Sequence, residues 1–127
     1  MASINILGKE FPLEYTVEAM KAVSDKYGGT QEAVETFETG SRDDQLEATI
    51  FMLSAMMKGA ERRERLRCSL WGEEYKGTPA LDFETLLQIM NPQDLRNMSE
   101  VIFETIRGSS KTTVDVLPDN KKKEDLK

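Results

Sequence analysis

The chain has 127 residues, 39% hydrophobic and 31% charged, with a net charge of −6, one cysteine and no histidine. That length suits one domain with its own core, while the acidity weighs against a general nucleic-acid binder. The missing histidine removes the commonest general base and metal ligand, and Cys68 alone excludes an internal disulfide and fits a reducing compartment. No apolar run nears the roughly 20 residues that cross a bilayer, and no basic segment leads into an apolar stretch at the N-terminus. The expectation is a soluble cytoplasmic protein without cofactor or metal.

Ile4 and Leu7, then Phe11, Leu13 and Tyr15, predict short strands over about 3–7 and 10–15, joined by a Gly8-Lys9 turn. Pro12 cannot donate to a ladder, which places the second strand at an edge. A two-strand hairpin is marginal alone in water, so it must lean on helices or on a second copy of the chain. Thr16 is the expected N-cap of a first helix that Gly28 stops, with Val17, Met20, Val23 and Tyr27 facing inward. Thr30 caps a second helix over about 31–38, with Ala33, Val34 and Phe37 inward and Gly40 at its end.

Ser41 with Asp44 three residues on reads as a capping box for a third, central helix. Leu46, Ile50, Leu53, Met57 and Ala60 share one face, and Phe51, Met52 and Met56 widen it. So broad an apolar surface predicts burial on more than one side, with Gly59 as a site of interruption. A charged arm follows from Glu61 and ends at Trp71-Gly72. Glu73 to Thr78 reads as a loop. Asp82 caps a fourth helix with Phe83, Leu86, Leu87 and Met90 inward. Asn91-Pro92 starts a fifth, striped by Leu95, Met98, Ile102 and Ile106 and stopped by Gly108. The fold expected is mainly α: a small N-terminal hairpin, then a compact bundle of four to five helices within residues 1–108. A flexible polar tail over 109–127 follows, with a brief strand from Thr112 to Leu117.

Three features invite a binding role. Arg62, Arg63, Arg65 and Arg67 with Lys58 form either a docking patch or a solvated helix face paired with Glu61 and Glu64. Met52, Met56 and Met57 form either ordinary core or a flexible groove suited to a helical partner. Trp71 is either an interface anchor or tucked against the core. Asp43-Asp44 and Glu73-Glu74 are neighbours in sequence and share no helix face, so acid–base catalysis is not expected. The helix-break-helix unit from Phe83 to Ile106 imitates a DNA-reading motif, but Asp94 near its reading end would repel phosphate.

The order of parts is itself informative. Ile4, Ile6, Gly8-Lys9 and Leu13 sit in a hairpin, Gly28-Gly29 closes the first helix, and an apolar helix spans Leu46 to Met57. Leu81-Asp82-Phe83-Glu84-Thr85-Leu86-Leu87, an Asn91-Pro92 break and a final Ile106-Arg107-Gly108-Ser109 complete the series. Over residues 3–110 the chain resembles the tail assembly chaperones of long-tailed phages and prophages of Gram-positive hosts, with a longer arm from Glu61 to Thr78. The resemblance implies a non-enzymatic factor of viral morphogenesis in the host cytoplasm. It would bind the tape measure protein, keep it soluble and assist tail tube assembly.

Such families are often made in two lengths by frameshifting. Lys121-Lys122-Lys123 reads either as the trace of a slippery A-rich run or as a basic tail. Partner-binding candidates are Met52, Met56, Met57, Arg62, Arg63, Leu66 and Trp71, with no catalytic, cofactor or metal residue expected. The tail tube protein is a possible second partner, and the hairpin edge or broad apolar helix allows a homo-oligomer. The alternative reading is a small cytoplasmic regulator or nucleic-acid-associated adaptor acting through Arg62 to Arg67.

Overall fold

In the computed structural model, which describes residues 2–111, the chain begins as a hairpin. Strand β1 (Ser3–Ile6) pairs antiparallel with β2 (Lys9–Pro12), Ile6 opposite Lys9 and Ser3 opposite Pro12. The turn is Leu7-Gly8, one residue earlier than expected. Both residues have positive φ, 50° and 87°, as the tightest right-twisting hairpin turn requires. Ile6 therefore joins Ile4 on the buried face, and Leu7 projects 83% exposed. The Leu13 N–H donates to the Ala2 carbonyl at 2.9 Å. Pro12 thus lies between hydrogen-bonded pairs, where its missing N–H costs no ladder bond. β2 ends at Pro12, yet the alternation of Phe11, Leu13 and Tyr15 still buries all three.

Six helices follow among the described residues, and one of them is a single turn. Helix α1 (Val17–Tyr27) starts at Thr16, whose Oγ1 accepts from the Ala19 N–H at 3.1 Å, and ends at left-handed Gly28. Its buried stripe is Ala19 and Val23; Val17 and Met20 face outward, contrary to the spacing read from large residues. Helix α2 (Thr30–Thr39) takes in Thr30 as its first residue. Thr30 is not the cap: its hydroxyl is engaged by the Tyr15 hydroxyl at 2.6 Å. Ala33 and Phe37 are buried, and Gly40 closes the helix as expected.

Helix α3 (Arg42–Trp71) has 30 residues and is the axis of the fold, about 45 Å long at the usual rise. Ser41 Oγ accepts from the Asp44 N–H at 3.2 Å. Around α3 lie β2, α1, α2, α4 (Phe83–Ile89), α5 (Pro92–Leu95) and α6 (Met98–Lys111). This ring explains the broad apolar surface. Met52, Leu53 and Met56 on α3 pack with Val23, Ala33, Leu86 and Ile102, all fully enclosed. Aromatic contacts tie these elements together: Tyr27 meets Phe51 of α3 edge-on at 5.7 Å between centroids, and Phe37 meets Phe103 at a tilt, also at 5.7 Å.

Gly59 does not interrupt α3. A Cβ there would lie 2.6 Å from the Glu14 carbonyl oxygen and 3.0 Å from Thr16 Oγ1, so the glycine admits the chain leaving the hairpin. Asp82 Oδ1 caps α4 by accepting from the Thr85 N–H at 2.9 Å. Leu87 is 45% exposed rather than inward, because α4 is short and buries only its Leu86 side fully. The expected fifth helix is split. The Arg96 N–H bonds to the Gln93 carbonyl in a tight turn, and helix resumes at Met98. Gly108 does not end it: unlike Gly28 and Gly72 it does not turn left-handed, and α6 runs through it to Lys111. Residues 109–111 of the expected 109–127 tail belong to α6; the rest of that tail, its brief strand and the Lys121–Lys123 run lie outside the described residues.

Candidate functional site

The methionines do not form a groove. Met52 and Met56 are 0% exposed and Met57 2%, because elements packed around α3 cover the face they occupy. The open surface lies farther along the same helix, where α1 and the segment leading into it reach one side.

At 100° per residue, Arg62, Leu66, Leu70 and Arg63 fall within a sector of about 100°. Cys68, Glu61 and Glu64 take the opposite side. There the loop after Gly72 folds back. The Glu73 N–H bonds to the Cys68 carbonyl at 2.8 Å, and the Tyr75 ring lies under the Arg65 guanidinium at 4.0 Å. Glu61 Oε1 accepts from the Ala80 N–H at 2.8 Å while Oε2 takes the Arg65 Nε–H at 2.6 Å. That backbone N–H, then Arg65, holds the Glu61 carboxyl below its ordinary range. The Cys68 thiol is buried and pushed up by that burial, so it is a packed side chain rather than a nucleophile.

The bare side of the arm meets the start of α1 in an open groove of about 810 Å³, lined by Thr16, Val17, Glu18, Gly59, Leu66, Arg62, Arg63 and Arg65. Val17 is 83% exposed and Leu66 60%; Leu70, one turn on, is 66% exposed. Val17 and Leu66 line the groove, and Leu70 lies one turn past it on the same face of α3. The sequence names Leu66 as a candidate contact, and the structure places it in this groove; its spacing points Val17 inward, and Leu70 follows a run of charges that hides it. A second hollow of about 290 Å³, between Phe37, Arg42, Leu46 and Leu95, has no exposed large apolar side chain.

The arginine cluster is ion-paired throughout. Arg62 Nε meets Glu18, Arg63 Nη1 meets Glu14 at 2.6 Å, Arg65 meets Glu61 and Arg67 bridges Glu64 and Glu73. Two partners are the interleaved glutamates expected from sequence. Glu14 and Glu18, brought from 49 and 44 residues away, were not legible there. Trp71 is exposed at 68% but leaves the helix about 140° from Leu66, outside the groove.

Comparison with protein-family models, with curated proteins and with solved structures finds no match. Among the described residues no helix is long and apolar enough to cross a membrane.

Proposed function

We propose that this protein is a tail assembly chaperone of a long-tailed phage or prophage, a binding protein without catalysis. It holds the tape measure protein by an apolar helical stripe and keeps it soluble while the tail tube assembles. The order of sequence parts supports the family reading. The observation that carries the binding role is the groove between α1 and the arm of α3, where Val17 and Leu66 remain open to solvent and Leu70 is exposed one turn beyond. A groove of that form takes an amphipathic helix, whose i and i+4 side chains meet Leu66 and Leu70. A tape measure protein is rich in such stripes, which aggregate when uncovered. Chaperone and cargo share the host cytoplasm in this reading, and the net charge of −6 keeps the loaded complex dispersed.

The test is co-expression with a tape measure protein, a long chain of amphipathic helices. The cargo is expected in the soluble fraction and co-purifying, and Leu66→Asp is expected to return it to the pellet. Cargo that never co-purifies with the native chain would end the proposal.

A further inference from the structure

We infer that the helix received by the groove is acidic at its margins: its apolar stripe is bordered by Glu or Asp side chains that Arg62 and Arg63 accept. This rests on reading the groove as a helix-binding site. The geometry supplies the charge. Arg62 lies on one flank of the Leu66–Leu70 line and Arg63 on the other, with Arg65 farther round. Among the described residues the groove is lined by Arg62, Arg63 and Arg65 against one carboxylate, Glu18, while Glu14 pairs with Arg63 from outside that lining. On a chain of net charge −6, this stretch gathers arginines on both sides of exposed leucines.

The intrachain ion pairs leave those arginines able to act. A guanidinium carries five N–H donors. Arg62 meets Glu18 through Nε, and Arg63 meets Glu14 through one Nη. Each has further donors for a second carboxylate, in the forked geometry that arginine favours. Arg62 and Glu18 are 65% and 62% exposed at their side chains, where a pair contributes little and exchanges readily. Glu18 thus competes with an incoming carboxylate, whereas a cationic margin on the partner would meet guanidinium on both flanks.

Three synthetic helical peptides test this with the full chain by calorimetry. One has a Leu stripe with Glu borders, one the same stripe with Lys borders, and one Glu borders with the stripe changed to Ser. The Glu-bordered Leu peptide is expected to bind at least about tenfold tighter than the other two, with the advantage shrinking in high salt. Leu66→Asp is expected to abolish that binding. Glu18→Gln is expected to strengthen it by about threefold by relieving competition at Arg62. Arg62→Gln with Arg63→Gln, folded by circular dichroism, is expected to erase the preference.

Equal or tighter binding of the Lys-bordered peptide overturns the inference. So does binding indifferent to Leu66→Asp, or a self-associated chain that Leu66→Asp dissociates and no peptide enters. Loss of cargo solubilisation with the peptide preference intact would refute the chaperone role alone. Solubilisation with the Lys border preferred would refute the charge rule alone.

Discussion

Gly59 sets how closely the hairpin exit lies on α3. A helical Gly→Ala change ordinarily gains about 1 kcal/mol of propensity. Here the added methyl would sit 2.6 Å from the backbone oxygen of Glu14, which cannot swing aside as a side chain can. Gly59→Ala is therefore expected to destabilise by about 1–3 kcal/mol in a denaturant titration, and to spread the Glu14–Thr16 segment from the arm. Leu7 works the other way. It holds φ of 50° while exposing most of its side chain, a conformation costing L-residues roughly 1–2 kcal/mol. Leu7→Asn, a residue that accepts this turn, is expected to raise the melting temperature without touching the core.

The loop from Glu73 to Asp82 has little apolar burial of its own and is tied down through Glu61. Because the folded state lowers the Glu61 pKa from its ordinary 4.5, its contribution is complete above that value. It disappears as pH falls through the lower folded value. Acidification is therefore expected to lower the protection of the Ala80 amide, measured against its intrinsic exchange rate at each pH, before the core opens. Glu61→Gln, which keeps the shape and removes the charge, is expected to weaken the tie by about 1 kcal/mol and flatten that pH response.

At this level the sequence was most legible where one residue has one job. Thr16, Ser41 and Asp82 cap as their chemistry dictates, and Gly28, Gly40 and Gly72 end helices. Helix faces were less legible. Near Gly59 the backbones approach so closely that Ala19, not Met20, fits inside, and a stripe read from large side chains points the wrong way. The break at Arg96-Asn97 carries no glycine or proline to announce it.

The whole molecule divides α3 into a sealed half and an open half. Met56→Ala is expected to cost about 2–5 kcal/mol of stability, read from chemical unfolding. Leu66→Asp is expected to change stability by no more than about 0.5 kcal/mol while removing partner binding. The apolar character of the central helix was plain in sequence. Which part of it stays uncovered was not, because that depends on where α1, α4 and α6 end along its length. Trp71, alone of its kind and solvent-facing at the helix tip, gives the molecule an unusual optical signature. Its emission should already be red-shifted in the native state and nearly blind to unfolding. Any blue shift on mixing with another macromolecule would report contact at that tip, separately from the groove.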